Sequence, residues 1–131
     1  MKGYYTHIEE ATENNTDYRR VLYTGKYSQL VLMSLQPGEE IGEEIHPEND
    51  QFFRFEEGEG KVIIDGNEYF VHDGDAVVVP AGAKHNVINT GNEPLKLYTI
   101  YSPPHHRYDV VRATKAEAEA DAPEFDGTTS E

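Results

Sequence analysis

The stretch Gly74–Asn89, GDAVVVPAGAKHNVIN, contains the signals that decide the fold. The apolar run Val77–Val79 has the composition and length of a short buried strand. Pro80 has no N–H to donate and therefore ends the hydrogen-bonded ladder, and Gly82 permits a tight reversal of the chain. His85 then begins a second β-rich run. The stretch predicts a strand, a tight turn and a returning strand.

Short β-rich runs of this kind recur between Val21 and Tyr101, at the spacing of an all-β sandwich or barrel. Turn-forming pairs such as Asp65-Gly66 and Pro37-Gly38 separate them. No ten-residue stretch between the runs has a helical period, so a parallel sheet with crossover helices is not supported. The predicted strands are 21–23, 29–35, 41–46, 51–55, 61–64, 68–71, 76–79, 85–89 and 95–101.

The two ends of the chain differ from this central region. Residues 6–18 are polar with little periodicity, which indicates an irregular arm. Thr114 and Glu117 have the spacing of a capping box, and Pro123 stops the short helix that they open. The expected segments are an N-terminal arm (1–20), a barrel domain (21–112), a short helix (113–123) and a disordered acidic tail (124–131).

The composition excludes several classes of partner and of chemistry. The chain has 131 residues, with 25 acidic and 11 basic residues and a formal net charge of −14, which disfavours nucleic acid and membranes as partners. It contains no cysteine, so any metal must be held by histidine, carboxylate or amide groups. The N-terminal residues Met1–Tyr5 lack the apolar core of a signal peptide, and we therefore expect a cytoplasmic protein.

Five residues of the opening stretch follow the pattern G(x)5PxG(x)2H(x)3N, namely Gly74, Pro80, Gly82, His85 and Asn89. This pattern is the second motif of the cupin superfamily, which the chain resembles. The resemblance covers about residues 29–101. It implies an all-β fold, namely a double-stranded β-helix or jelly-roll barrel, with the functional site inside the barrel. In this chain the barrel is followed by the short C-terminal helix.

The first cupin motif, G(x)5HxH(x)3–4E(x)6G, is matched in spacing by Gly38, Glu44, His46, Gln51 and Gly58. Glu44 stands where the family has its first histidine, and Gln51 stands where the family has its glutamate. The second histidine is present as His46. Together with the histidine of the second motif, the resemblance implies a set of metal ligands formed by Glu44, His46, Gln51 and His85.

The residues themselves agree with such a site. Glu44 and His46 are two apart on one predicted strand, so their side chains leave the same face. Gln51 begins the next strand and His85 comes from a different hairpin. Glu44, His46 and His85 form a two-histidine, one-carboxylate set, which suits non-haem iron and also zinc. We expect a divalent ion, with zinc, manganese, iron and nickel all open.

The predicted pocket includes residues outside the ligand set. Phe53 and Phe55 share the parity of Gln51 and should form an apolar wall. Tyr98 is a candidate pocket hydroxyl, with core packing as the alternative. The remaining histidines are expected to be surface or hydrogen-bonded residues and not ligands. They are His7, His72, His105 and His106.

The leading hypothesis is a small metalloenzyme that acts on a small polar or carbohydrate-like molecule. The ion would polarise a carbonyl or hydroxyl group while Glu44 or a bound water moves a proton. Compact cupins that this chain resembles are described as mannose-6-phosphate isomerase-like, which implies isomerase or epimerase chemistry. We expect an unphosphorylated substrate, because the motif strands place no arginine or lysine inward for a phosphate.

Two other functions remain open from the sequence. One is an iron-dependent dioxygenase that uses Glu44, His46 and His85. The other is a non-catalytic barrel that binds a sugar or metabolite. A homodimer is expected in each case, since jelly-roll sheets have exposed edges that an arm with Tyr4, Tyr5 and Tyr18 would cover on a partner.

Overall fold

Ten strands and two short helices make up the secondary structure. The computed structural model describes every residue of the chain, Met1–Glu131. The elements in chain order are α1 (Ile8–Asn14), β1 (Arg19–Thr24), β2 (Gln29–Leu35), β3 (Glu44–Ile45), β4 (Asp50–Glu57), β5 (Glu59–Ile64), β6 (Asn67–His72), β7 (Ala76–Val79), β8 (Lys84–Asn89), β9 (Leu95–Ser102), β10 (Val111–Arg112) and α2 (Lys115–Ala120).

The strands form two antiparallel sheets. The six-stranded sheet has the order β10-β1-β2-β9-β4-β7, and the four-stranded sheet has the order β3-β8-β5-β6. Every strand pair is antiparallel. The predicted all-β jelly-roll fold with a short C-terminal helix is confirmed.

The core lies between the two sheets and follows the period of two that strands impose. On β4 the inward residues Phe53 and Phe55 are fully buried, and on β9 they face Leu97 and Thr99, which are also fully buried. Each large apolar side chain buried in this way stabilises the fold by about 1.5–3 kcal/mol. The inward face of β4 then continues to Gln51 at the end of the barrel that holds the candidate site.

The predicted turn at Asp65-Gly66 joins β5 to β6. Asp65 has φ 46° and Gly66 has φ 82°, as a type I′ hairpin requires. Oδ1 of Asp65 also accepts a hydrogen bond from the backbone N–H of Lys84 at 2.9 Å. This bond holds the hairpin against the start of β8, one residue before His85.

One predicted strand is shorter than expected. We predicted residues 41–46 as a strand, whereas β3 covers only Glu44–Ile45. Gly42 has φ 105°, which interrupts the extended backbone, and its N–H donates to Oδ1 of Asn86 instead of to a strand neighbour. Ile41 still donates to the carbonyl of Val87, so the segment continues to follow β8.

The N-terminal segment is more ordered than the irregular arm that we expected. It contains α1 and the first residues of β1, and Tyr18 is buried in the core of its own chain. Tyr4 lies against Tyr23 of the same chain, with ring centroids 5.7 Å apart. The side chain of Lys96 holds the end of α1 by donating to the carbonyls of Glu13 and Asn15. Tyr18 is therefore not free to cover a partner's edge strand.

The C-terminal segment confirms the predicted helix and corrects the predicted disorder. The Thr114 side chain accepts a hydrogen bond from the N–H of Glu117, as an N-cap does. Residues 124–131 pack back on the barrel, where Phe125 donates to the carbonyl of His105 and Ser130 to that of Thr24. Neither helix of the protein has the length and apolar character needed to cross a lipid bilayer.

Candidate functional site

The site begins with a pair of residues on neighbouring strands. Glu44 on β3 lies directly opposite His85 on β8 in the antiparallel ladder, so both side chains leave the same face of the sheet. His46 follows β3, and its carbonyl accepts a hydrogen bond from the N–H of Gly82 at 2.9 Å. That bond joins the Pro80–Gly82 turn to the segment that carries His46. The two motifs found in the sequence therefore meet at one place.

The imidazole of His46 is buried but only partly satisfied. Its ring centroid lies 5.2 Å from that of His85. Oε2 of Glu44 is 3.0 Å from Nε2 of His46, but off the line of a ring hydrogen bond, so Nε2 has no hydrogen-bond partner. A buried polar atom without a partner is rare in folded proteins and requires an explanation.

His85 is held so that one ring nitrogen is free. Its Nδ1 lies 3.1 Å from the carbonyl oxygen of Ala83. A carbonyl can only accept, so Nδ1 carries the proton and Nε2 has the lone pair. A hydrogen bond of this type orients histidines that bind metal through the other nitrogen. His85 therefore has the tautomer that a ligand needs.

Gln51 presents an oxygen to the same interior. The residue is only 2% exposed, and its Nε2 donates to the hydroxyl of Thr99 at 3.0 Å. With the amide oriented in this way, Oε1 has no hydrogen-bond partner. Amide oxygens are ligands for hard cations. The Gln51 side chain is thus fixed by its nitrogen and free at its oxygen.

The electrostatics of the site favour an ionised carboxylate. Burial alone raises the pKa of Glu44, but the adjacent His46, and then Arg19 and His85, outweigh that effect and lower this pKa below its ordinary value. Burial raises the pKa of Tyr101, so this hydroxyl stays neutral. Glu44 therefore provides a negative charge at the site, as a cation ligand would.

The types of donor atom at this place suit a divalent metal ion, but the histidine and acidic side chains do not form a preassembled cluster of three ligands in this structure. The donor atoms comprise a carboxylate, two imidazole nitrogens and an amide oxygen, and two of these atoms, Nε2 of His46 and Oε1 of Gln51, are buried without partners. Nitrogen and oxygen donors of this mixture suit zinc, iron, manganese and nickel. The four residues that the sequence singled out are the ones that the fold brings to this place.

The apolar wall of the site is formed by Phe53 and Phe55. The ring of Phe53 lies 6.3 Å from that of His85, and Phe55 stacks on Phe53 one step deeper in the barrel. Tyr98, the third predicted pocket residue, does not belong to this wall. It lies opposite Arg54 on β4 and near the Phe52 ring, which places it on the outer face of the six-stranded sheet.

A cavity of about 460 Å³ opens beside the site. His46 and His105 line it together with Glu48 and Asn49, and Phe125 from the C-terminal segment forms part of its rim. Five of its ten lining residues are polar or charged, three are prolines and two are hydrophobic. Of the four candidate ligands, His46 lines this cavity and is thereby open towards solvent.

His105 is a site residue that the sequence reasoning missed. Its ring centroid is 4.3 Å from that of His46, and the ring stacks on Tyr101 at 5.2 Å. Its backbone N–H donates to Oε1 of Gln29, which fixes the loop after β9. Burial, and then the neighbouring His46, lower the pKa of His105. No motif spacing marks this residue, because the loop that carries it reaches the site only in the folded chain.

The other histidines lie where the sequence indicated. His72 has a largely exposed side chain on β6, and His7 is exposed beside Tyr5. His106 is buried, with its Nε2 3.3 Å from the hydroxyl of Tyr101. These three residues are surface or hydrogen-bonded residues.

Comparison with known families decides the classification. The family model of the cupin domain matches residues 31–101. The chain belongs to the cupin family. The match spans β2 to β9 and contains Glu44, His46, Gln51 and His85.

This cupin has similar relatives in bacteria. It is 50% identical over 125 residues to the Bacillus subtilis protein YrkC, a match that covers 91% of this chain and 67% of that protein. The crystal structure of BH2720 from Bacillus halodurans is 48% identical, has a TM-score of 0.90, and is matched over 92% of this chain and 96% of that chain. Most of the chain, including its cupin fold, is therefore shared with a solved structure.

A more distant relative is an enzyme of sugar metabolism. The cupin is 29% identical over 89 residues to the mannose-1-phosphate guanylyltransferase of Escherichia coli, over 67% of this chain and 19% of that protein. The matched segment is a small part of that enzyme. The likeness extends to a cupin-sized segment and not to the enzyme as a whole.

Proposed function

We propose that this cupin binds a divalent metal ion inside its barrel and is a small metalloenzyme that transfers a proton on a small polar, carbohydrate-like molecule. The ligands are Glu44, His46, Gln51 and His85. The observation that carries the proposal is Oε1 of Gln51, which is buried without a partner, in the same interior as an ionised Glu44 whose Oε2 lies 3.0 Å from Nε2 of His46.

A bound divalent ion supplies polarisation of a carbonyl or hydroxyl group. The protein supplies the rest of the site. His85 and Gln51 are held by bonds from Nδ1 to the Ala83 carbonyl and from Nε2 to the Thr99 hydroxyl, so their donor atoms keep their direction. Glu44 is ionised and 31% exposed at its side chain, so it can accept a proton from a molecule that enters through the cavity.

The size and lining of the cavity support a small polar substrate. A volume of about 460 Å³ suits a molecule of monosaccharide size. Glu48, Asn49 and His105 provide donors and acceptors at its wall. A carbohydrate-like ligand is also supported by sequence similarity: this chain resembles a cupin-sized segment of the Escherichia coli mannose-1-phosphate guanylyltransferase.

An iron-dependent dioxygenase is the second candidate. Glu44, His46 and His85 form a two-histidine, one-carboxylate set, and Gln51 contributes only a neutral amide oxygen. Non-haem iron oxygenases use three such ligands and keep the remaining positions open. The identity of the native metal separates this function from proton transfer.

Elemental analysis of the untagged protein, purified without chelator, tests the metal site. We expect about one ion per chain in the wild type and none in a His46→Ala/His85→Ala variant. The matched control is His7→Ala/His72→Ala, which also removes two imidazoles, both exposed. Equal and negligible metal in all three proteins, also after divalent ions are added back, would contradict the proposal and favour a metal-free binding barrel.

The reaction is tested separately from the metal. Protein loaded with zinc or manganese is incubated under argon in D2O with a panel of aldoses and ketoses. Proton NMR then follows exchange at the carbon next to the carbonyl group. We expect exchange in the wild type and none in the His46→Ala/His85→Ala variant. Oxygen consumption with ferrous iron, in the absence of exchange under argon, would instead establish the dioxygenase.

A further inference from the structure

An arginine lies inside the barrel, on a strand that neither cupin motif covers. Arg19 begins β1 and is opposite Met33 of β2, on the face that also carries Val21 and Val31. Those three apolar residues belong to the core. Arg19 itself is 8% exposed. Its side chain is therefore directed into the interior between the two sheets.

The guanidinium of Arg19 has no direct ion-pair partner in the protein. Its Nε is buried without a hydrogen-bond partner. The guanidinium takes part in none of the ion pairs of the fold, whereas its exposed neighbour Arg20 pairs with Asp17. Burying a guanidinium without a partner costs on the order of several kcal/mol of stability, because arginine remains charged at any physiological pH. A bound ligand that pairs with the guanidinium would explain why this charge is buried.

The groups around Arg19 do not neutralise it. Its Cζ lies 5.3 Å from the centroid of the Tyr18 ring, a cation–π contact that leaves the N–H groups unbound. Burial raises the pKa of Tyr18 to about 12, so that the phenol is neutral. Burial, and after it the charge of Arg19, lower the pKa of His106 to about 2, so that this imidazole is neutral as well.

The guanidinium is also close enough to act on the candidate metal site. Burial raises the pKa of Glu44; among the causes that lower this pKa, the charge of Arg19 comes after His46 and ahead of His85. It is likewise among the charges that act on Tyr101 and His105. With a divalent ion bound, one carboxylate would face three positive charges. The interior would then attract an anion although the whole chain has a net charge of −14.

We propose that Arg19 binds an anionic oxygen group, a carboxylate or a phosphate, on the molecule that enters the barrel, so that the ligand of this cupin is a small acid. The planar fork of a guanidinium matches both groups with two parallel hydrogen bonds. The inference rests on the proposed function for the position of the ligand beside the metal. It replaces the expectation of an unphosphorylated substrate, which considered only the motif strands.

The test uses three sugar derivatives as probes: gluconate, glucose 6-phosphate and uncharged glucose. Isothermal titration at constant ionic strength measures their affinity for the wild type, Arg19→Met, Arg19→Lys and the control Arg20→Met. We expect at least one anionic probe to bind to the wild type more tightly than glucose does. The affinity of that probe should be at least tenfold lower for Arg19→Met and unchanged for Arg20→Met. The Arg19→Lys variant should be intermediate, since lysine keeps the charge and not the fork.

Melting temperatures without ligand separate a binding role from a structural one. We expect Arg19→Met to melt at the same or a higher temperature than the wild type, because an unpaired buried charge is removed. A lower melting temperature, together with anion affinities equal to those of the wild type, would overturn the inference. So would the absence of any anion that binds better than glucose.

Titrations of metal-free protein distinguish this inference from the proposed function. Arg19→Met should contain as much metal as the wild type, since Arg19 is not a ligand. Anion binding that depends on Arg19 in a protein that never binds metal would support the anion site and refute the metal site. Stoichiometric metal together with anion binding that is independent of Arg19 would support the metal site and refute the anion site. The comparison of gluconate with glucose 6-phosphate shows which anionic group the site takes.

Discussion

Glu44 and His85 lie directly opposite each other across β3 and β8, and this pairing joins the two cupin motifs into one site. Residues opposed in an antiparallel ladder have Cβ atoms roughly 4.5–5.5 Å apart and point to the same side of the sheet. The pair thus places a carboxylate beside an imidazole without help from a loop. His46 and Gln51 complete the set from the two ends of the short connection that follows β3.

Replacement of the carboxylate should weaken the metal site without unfolding the protein. We expect Glu44→Gln to lower divalent cation affinity at least tenfold, because the only negative donor is lost. The melting temperature should shift by only about a few degrees. Competition with a chromogenic chelator measures the affinity. The control is Glu43→Gln, whose side chain is 68% exposed and pairs with Lys84 on the surface, so it should bind like the wild type. Unchanged affinity in Glu44→Gln would show that Glu44 is not a ligand.

Restoring the family's acidic ligand should have opposite effects on the metal-free and metal-loaded protein. In Gln51→Glu a second carboxylate is buried near Glu44, so metal-free protein should lose about 1–3 kcal/mol of unfolding free energy. Metal affinity should rise at least tenfold. Urea unfolding with and without zinc gives both values, and Gln36→Glu on the surface serves as the control. A Gln51→Glu protein with unaltered metal affinity would contradict the placement of Gln51 in the ligand set.

The buried His106 predicts a loss of stability in acid. Its pKa is lowered from an ordinary value of 6.5 to about 2, so the unfolded chain binds a proton below pH 6.5 that the native protein does not. Stability is complete above that pH and falls on acidification, by up to about 1.4 kcal/mol per pH unit from this one group. Urea unfolding at pH 7.0 and pH 5.0 should show a smaller loss in His106→Gln than in the wild type. The exposed His72→Gln serves as the control, and an equal loss in all three proteins would refute the prediction.

Two motif glycines should differ in their tolerance of alanine. Gly38 and Gly58 both have positive φ, so each substitution costs about 1–2 kcal/mol through the left-handed backbone. A Cβ on Gly58 would also lie 2.6 Å from the Pro94 carbonyl oxygen, while one on Gly38 would contact nothing within 4 Å. Because of this overpacking, we expect the unfolding free energy of Gly58→Ala to be about 1–3 kcal/mol lower than that of Gly38→Ala. Equal losses in denaturant unfolding would show that the strand can move away from Pro94.

The homodimer remains a prediction that follows from the free sheet edges. The outer edges of β6 and β7 pair with no other strand of the chain. Edge strands offer unpaired backbone groups, which a second copy can use. Light scattering at micromolar concentration should give about twice the mass of one 14.8 kDa chain. A mass of one chain would contradict the dimer.

The sequence predicted the barrel well because its signals are local. The spacing of Pro80, Gly82 and His85 requires a tight reversal at any position in a fold. Tyr98 was misplaced because β9, with the sequence LKLYTIYS, is apolar on both faces. Lys96 on its outer face is itself buried under α1, so the alternation of polar and apolar residues that marks an exposed face is missing.

Errors at the termini have a different origin. The helix α1 has no side-chain cap and only seven residues, so nothing in its own sequence stabilises it alone. Its end is instead bound by Lys96, which is more than eighty residues away in the chain. The C-terminal segment is likewise held by β1, where the hydroxyl of Tyr23 donates to the Glu131 carboxylate at 2.6 Å. Contacts between such distant segments leave no periodic pattern.

The sequence alone determined the cupin barrel and singled out the four candidate ligands Glu44, His46, Gln51 and His85, because strand period, turn residues and motif spacing depend on neighbouring residues only. The tertiary structure decided which donor atoms lack partners, and it brought His105 and Arg19 to the interior from a loop and from the first strand. Burial and hydrogen bonding arise from segments that meet only when the chain folds. For this reason, the proposal of an anionic ligand could come only from the structure, which shows a guanidinium buried without a direct ion-pair partner.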